Sequence, residues 1–174
     1  MATNCLRDLE STSAGCQGAQ GLYRSCGVAV SPDGKQVYVA SAVDDTLTTF
    51  ARNTQTGALT WIGCLRNAGL AAGGCSRVDG LDGARGIAIS GDGASIYVGA
   101  ADGDALAVFD RDAAGAATWA DCFRDSVRRS PIVKHLGVAA SADRPGSHPA
   151  VAPAVVYVER TGSYSSVVVS ANRP

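Results

Sequence analysis

One stretch of this chain occurs twice, and that repetition limits the fold more than any other feature. Gly27-Val-Ala-Val-Ser-Pro-Asp-Gly-Lys-Gln-Val-Tyr-Val39 returns 59 residues later as Gly86-Ile-Ala-Ile-Ser-Gly-Asp-Gly-Ala-Ser-Ile-Tyr-Val98. Cys5-Leu6-Arg7-Asp8 returns at the same offset as Cys64-Leu65-Arg66-Asn67, and Cys122-Phe123-Arg124-Asp125 follows 58 residues on. Aligning 27–67 with 86–125, with one gap near Gln55, gives 18 identities over 40 pairs. A fixed period of this kind marks a tandem array of one supersecondary unit.

Each unit reads as four short strands. Segments 28–31 and 87–90 are apolar and β-branched, and each runs into a turn at Asp33-Gly34 or Asp92-Gly93. Glycine accepts the positive φ of a hairpin turn without steric cost. Segments 37–41 and 96–100 supply the second strand, 47–52 and 105–111 the third, 58–65 and 116–123 the fourth. Trp61 and Trp119 fall at matching places in the fourth. Four strands at a fixed period predict an all-β chain of β-propeller blades, each of four antiparallel strands. Tyr38, Tyr97, Phe50, Phe109 and the two Trp, at repeat spacing, are expected in the core.

A third copy is worn. Gly137–Asp143 matches Gly27–Asp33, but Val156-Tyr157-Val158 follows its glycine after 19 residues, not 10 as in the first copy. The excess falls at 144–154, which holds three of the six prolines, as an extended hairpin loop would. The expected organisation of 1–174 is a single partial propeller. Residues 1–26 are the last strand of a preceding blade plus a Cys loop, 27–85 and 86–135 are blades, and 136–174 is a degenerate blade. Two and a half to three blades fall short of the usual four to eight, so an incomplete ring is expected, either as a fragment or with self-association through exposed blade faces. The strand at residues 4–7 should pair with 165–169 or be left as an open edge. Strand twist makes a three-blade closure costly, which favours the open arc.

The Ser-Pro-Asp-Gly-Lys-Gln-Val-Tyr-Val-Ala core at residues 31–40 resembles the Tyr-Val-Thr-Asn-type propeller repeat. It is similar to the lactonase-type propellers, the superfamily that includes the propeller class of 6-phosphogluconolactonase. The resemblance covers 3–125 well and 136–170 loosely. It departs where Tyr38-Val39-Ala40-Ser41 and Tyr97-Val98-Gly99-Ala100 lack the Thr-Asn, and in a period longer than the usual 40 to 50 residues. It implies hydrolysis of a sugar lactone by water attack at the ester carbonyl. It places no catalytic residue of that family here, so the catalytic residues stay unknown at this point.

Cys5 and Cys16 are eleven apart, as are Cys64 and Cys75, in equivalent loops. A repeated pair in a Gly-rich loop predicts one local disulfide per repeat. Buried thiols and a zinc site are the alternatives, the latter without the Cys-x2-Cys spacing that favours it. Cys26 stands where the next repeat has Arg85, and Cys122 meets Val133 where its partner belongs, so both are expected as free thiols. Paired loops favour an extracellular or periplasmic compartment, although the first residues lack the basic and apolar regions of a signal peptide.

Antiparallel strands send the second-to-third loops and the fourth-to-first loops to one face. The first set holds Asp44, Asp45, Asp102 and Asp104, the second Asp79, Asp82 and Arg85. Asp45, Asp82, Arg85 and Asp104 are therefore the candidate ligand-binding residues, an acidic funnel for a cation or polar ligand. Against this stands turn-capping by Asp side chains, which every blade needs. His135 and His148 have no recognisable partners. Glu159 replaces Ala40 and Gly99, and a carboxylate at a small, buried position has to be paired or protonated. Arg7, Arg66 and Arg124 are expected to tie strand ends to their neighbours.

No metal site and no cofactor are expected. With 15 basic against 16 acidic residues, nothing favours a nucleic-acid partner. No apolar run approaches the roughly 18 residues of a membrane span. The expected function is a non-enzymatic module binding an unknown ligand or protein, and the alternative is the lactonase-type hydrolase. One-off polar residues converging at the channel mouth distinguish the two, because an enzyme needs asymmetry among its blades.

Overall fold

The computed structural model describes residues 5–12, 15–70 and 73–125, together with the backbone of three strands at 136–140, 154–160 and 163–169. Its elements are all strands: β1 (Leu6–Asp8), β2 (Gln17–Ala19), β3 (Ser25–Val30), β4 (Gln36–Ser41), β5 (Thr46–Arg52), β6 (Leu59–Asn67), β7 (Ser76–Val78), β8 (Ala84–Ile89), β9 (Ser95–Ala100), β10 (Ala105–Arg111), β11 (Ala117–Arg124), β12 (Leu136–Ala140), β13 (Ala154–Arg160) and β14 (Ser163–Val169).

The strands form blades. β3 to β6 are antiparallel neighbours in chain order, and so are β8 to β11 and β12 to β14. The hairpins form where the Asp-Gly turns are written. Gly34 and Gly93 take φ of +70° and +71°. Beside them Asp33 Oδ1 accepts from Lys35 N at 3.1 Å and Asp92 Oδ1 from Ala94 N at 2.9 Å. The two complete blades also share a bulge, between Thr49 and Phe50 and between Val108 and Phe109. Such bulges raise local twist.

Two features depart from four antiparallel strands per blade. The disulfide loop adds a short parallel strand, so that Leu65 pairs with Ser76 and, one repeat earlier, Leu6 with Gln17. The worn copy also pairs in a different register. Gly137 lies opposite Tyr157, whereas Gly27 lies opposite Ala40. That is a shift of two residues against the alignment, which leaves every residue on its original face.

The sheets stack through their first strands, β3 beside β8 and β8 beside β12. Gly27 permits the first contact, since a Cβ there would stand 2.3 Å from the Arg85 carbonyl oxygen. Tyr38, Ala40 and Leu47 of the first blade pack against Ile87, Ile89, Ile96, Val98, Ala107 and Phe109 of the second. Leu65, Val78 and Leu81 complete this core. A smaller core repeats it one unit earlier, where Leu6, Ala19 and Leu22 pack with Val37, Val39 and Phe50. β1, β2 and the turn after them thus cover part of the first blade.

The cover is partial. Ile87 and Ile89 are 9% and 7% exposed, but their counterparts Val28 and Val30 are 67% and 52% exposed. Aliphatic first- and second-strand residues of a blade, Val28, Val30, Val37, Val39, Ile87, Ile89, Ile96 and Val98 here, are expected from the sequence to be buried against neighbouring blades, and Val28 and Val30 depart from that. Among the described strands β1 pairs with β2 and β14 with β13, and β1 and β14 do not belong to one sheet. The two Trp are also less buried than core packing requires, at the outer strands β6 and β11.

Candidate functional site

The turns that enter and leave the blades meet on one face, at the start of β8. Asp45 ends the turn from β4 to β5 with φ of +54°. Its Oδ1 accepts from Gly83 N at 2.6 Å, across the blade boundary. Gly83, at φ +70°, tolerates no side chain, because a Cβ would lie 2.5 Å from Asp102 Oδ2. The carboxylates of Asp45 and Asp102 therefore flank one glycine. Asp82 joins them through its carbonyl, which accepts from Gly103 N at 3.0 Å. Burial pushes the Asp45 pKa above the ordinary carboxylate value, and the negative charges of Asp82 and Asp102 push it further.

Arg85 is the cation of this cluster and is incompletely bonded. Its Nη2 approaches Asp102 Oδ2 at 3.8 Å. Its Nε is buried without a hydrogen-bond partner. Leaving a charged donor unmet is costly, and native structures keep few such groups without a reason. Three of the four expected site residues, Asp45, Asp82 and Arg85, thus come together. Asp104 occupies the place of Asp45 one blade on, with φ of +46°, and accepts from Asp125 N through its carbonyl just as Asp45 accepts from Asn67 N. The backbone role of these two aspartates is shared and structural.

The other polar members are not repeated. At the places of Asp82, Arg85 and Asp102, the preceding unit has Tyr23, Cys26 and Val43. Asp102 belonged to the acidic loops by sequence but was not singled out, and its substitution for Val43 was the available signal. The conserved geometry lies beneath: Ala42 N donates to Arg24 O at 3.1 Å and Ala101 N to Gly83 O at 3.0 Å. Arg66 ties its strand end as expected, with Nη2 at 2.7 Å from Asp44 Oδ1.

A second polar assembly escaped the sequence reading. At the opposite end of the same blade boundary, Arg111 Nε donates to Tyr38 Oη at 3.0 Å and Nη2 pairs with Asp33 Oδ2 at 2.9 Å, while Gln36 Oε1 also accepts from Nη2. Tyr38 Oη in turn donates to Gly115 O at 2.6 Å. The hydrogen bond from Ser31, then that from Lys35 N, and then Arg111 hold the Asp33 carboxyl far below its ordinary range. The recurrence of Arg at 52 and 111 was its trace in the sequence.

Both expected disulfides are present, Cys5–Cys16 and Cys64–Cys75, with Cα separations of 4.7 and 4.8 Å. Cys26 and Cys122 are free thiols. Among the described residues no group of three or more His, Cys, Asp or Glu is placed to hold a metal ion. His135, His148 and Val133 lie outside the described residues, and Glu159 is placed only by its backbone, opposite Tyr164.

Antiparallel blades stacked on their first strands, with turns gathered over the stack, define a β-propeller. The chain belongs to the seven-bladed β-propeller lactonase family: the family described as Lactonase, 7-bladed beta-propeller matches residues 2–118. Solved structures agree on the fold. A candidate 6-phosphogluconolactonase of Bacteroides uniformis is 17% identical with a TM-score of 0.57, over 91% of this chain and 44% of that one. A protein of Lactobacillus plantarum is 22% identical with a TM-score of 0.53, over 87% and 42%. Hydrazine synthase of Kuenenia stuttgartiensis is 20% identical with a TM-score of 0.52, over 89% and 35%. The chain spans less than half the length of each. No curated protein matches the sequence.

Proposed function

We propose that this protein is a lactonase-type hydrolase that opens a sugar lactone. Family membership supports the reaction class, and one structural observation carries the assignment to a site. Asp82, Arg85 and Asp102 break the repeat together, at one place, around a cation with an unmet donor. A scaffold has no use for such asymmetry. This reverses the weighting of the two functions reached from sequence, where the binding module came first.

The chemistry follows from the groups present. Water adds to the lactone carbonyl carbon while the bond to the ring oxygen breaks, giving a hydroxy acid. The Arg85 guanidinium donates to the carbonyl oxygen as negative charge develops there, the role of an oxyanion-stabilising donor. The exposed Asp102 carboxylate takes the proton from the attacking water as general base and returns it to the ring oxygen as the tetrahedral adduct collapses, which frees the hydroxyl of the product and restores the carboxylate. Asp45 acts through Gly83 and is a positioning residue. The test is proton release from an aldonolactone by the purified chain, against the spontaneous rate. Arg85→Gln and Asp102→Asn are each expected to lose about a hundredfold. A rate no faster than the spontaneous one, or one that neither substitution changes, overturns the assignment and returns the site to ligand binding.

The two disulfides support an oxidising compartment, extracellular or periplasmic. Protein purified without reductant is then expected to titrate with two free thiols, Cys26 and Cys122, and four more only after reduction. Six thiols before reduction would mean that neither disulfide forms and would remove this support for an oxidising compartment.

A further inference from the structure

Around Gly83 the carboxylates of Asp45 and Asp102 have partners within the fold, and that of Asp82 has none. Asp45 accepts from Gly83 N at 2.6 Å, and Asp102 pairs loosely with Arg85 at 3.8 Å. Asp82 serves the turn through its carbonyl alone, which accepts from Gly103 N at 3.0 Å. Its carboxylate accepts no hydrogen bond and makes no ion pair among the described residues. The side chain nevertheless belongs to the cluster. A Cβ added at Gly103 would stand 3.1 Å from that of Asp82. Burial first, and then the charges of Asp82 and Asp102, keep the Asp45 carboxyl above its ordinary value. Tyr23 fills the place of Asp82 one unit earlier, so the repeat itself does not require a carboxylate there.

The nearby cations do not offset this charge. Arg66 is paired with Asp44 at 2.7 Å. Arg124 hydrogen-bonds Cys122 and lies in the field of Asp79 as well as of Asp82. Asp45, Asp82 and Asp102 therefore face Arg85 as three carboxylates to one guanidinium. An ionised carboxylate only accepts hydrogen bonds. The hydroxyls of a neutral sugar lactone donate to it. A phosphate dianion or a second carboxylate brings like charge and further acceptors, and an interface rejects a ligand by such repulsion as effectively as it selects another by contact. We propose that Asp82 is a specificity-determining residue, which selects a neutral aldonolactone over its phosphorylated or otherwise anionic counterpart. Arg85 does not cancel the selection. Its unmet Nε is satisfied by the lactone carbonyl, which both kinds of substrate carry, so it attracts both alike. The inference rests on the lactonase reading of this site and adds to it the charge class of the substrate.

The experiment compares kcat/KM of the purified chain on glucono-δ-lactone and on its 6-phosphate, each above its spontaneous rate. It is done in about 0.01 M and in about 1 M salt, between which the Debye length falls from about 30 Å to about 3 Å. The wild type is expected to favour the neutral lactone by about tenfold or more at low salt and to lose most of that preference at high salt. Asp82→Asn keeps the size of the side chain and the carbonyl bonded to Gly103 N, and removes the charge. Its low-salt preference is expected to be about fivefold smaller. Both lactones are read on one preparation, so a change in the folded fraction cancels in the ratio. Should Asp82→Asn fold poorly, Asp82→Ser is the second uncharged variant. Equal or better use of the 6-phosphate at low salt, or a preference that either high salt or loss of the Asp82 charge leaves unchanged, overturns the inference and leaves the lactonase reading in place. Hydrolysis of neither lactone overturns the lactonase reading, and this inference with it.

Discussion

The first and second blades carry nearly the same strand pattern, yet their front faces have opposite fates. Ile87 and Ile89 are core, while Val28 and Val30 face water, although each pair occupies the same positions of a first strand. The strand alone does not decide its burial. A blade is apolar on both faces, and each face is core only where a neighbouring blade lies on it. Leu6, Ala19 and Leu22 cover Val37 and Phe50 as Leu65, Val78 and Leu81 cover the second blade, but nothing of the described chain covers the start of that face.

The largest effect should come from truncating the covered member of this pair. Ile89→Ala removes buried methyl groups from the boundary and is expected to cost about 2–5 kcal/mol, whereas Val30→Ala stays within about 0.5 kcal/mol. Denaturant melts of both check it. An equal cost would mean that the β3 face is covered in solution.

The disulfide loops sharpen the comparison at the next level. Opening Cys64–Cys75 or Cys5–Cys16 by paired Ala substitution is expected to cost about 3 kcal/mol each, since each closes a loop of similar length. The second loop lies on the complete boundary and the first on the partial one. Calorimetry should therefore find the Cys64–Cys75 variant losing cooperativity between the two blades, while the Cys5–Cys16 variant frays only the first residues.

Arg111 and Arg52 give the third contrast. Arg111→Ala removes a donor shared by Tyr38 Oη, Gln36 Oε1 and Asp33 at the blade boundary, while Tyr38 Oη keeps its bond to Gly115 O, and is expected to cost about 2 kcal/mol. Arg52→Ala should cost less than about 0.5 kcal/mol. A substantial loss from Arg52→Ala would show that Arg52 has partners beyond Gly34 O. Acid acts on the same clamp. The Asp33 carboxyl is held below its unfolded value, so its contribution is complete above the ordinary carboxylate range and is lost as the pH falls through the folded value.

What could be read from residues alone follows from these contrasts. The blades, their turns and the disulfides were legible because repetition multiplies weak local signals: one Asp-Gly is a hint, and two at matching places with β-branched flanks are a hairpin pattern. The burial of Val28 and Val30 was not legible, because it depends on a neighbour and not on the strand. Repetition also hid the candidate site. It drew attention to Asp45 and Asp104, which recur for backbone reasons, and away from Asp102, which stands where the preceding unit has Val43. The parallel strand β7 was missed since three residues in a Gly-rich loop carry no period.

The smallest effect concerns Asp45, and it separates this turn aspartate from Asp102, the proposed base. Burial, with Asp82 and Asp102 nearby, raises its folded pKa above the unfolded value. Between those two values the native state binds more protons than the unfolded one, so the residue loses stability as the pH rises through that window, and the loss is complete above the folded value. Asp45→Asn removes the charge, keeps an Oδ1 to accept from Gly83 N, and tolerates the left-handed backbone as Asp does. It is expected to be slightly more stable than wild type at neutral pH, and indistinguishable from it below the ordinary carboxylate range. The same variant should retain lactone hydrolysis within a few-fold, where Asp102→Asn does not. Melts of wild type and Asp45→Asn across pH check the first statement. A destabilised Asp45→Asn at neutral pH would mean that the ionised carboxylate, and not merely its acceptor oxygen, holds the turn at Gly83.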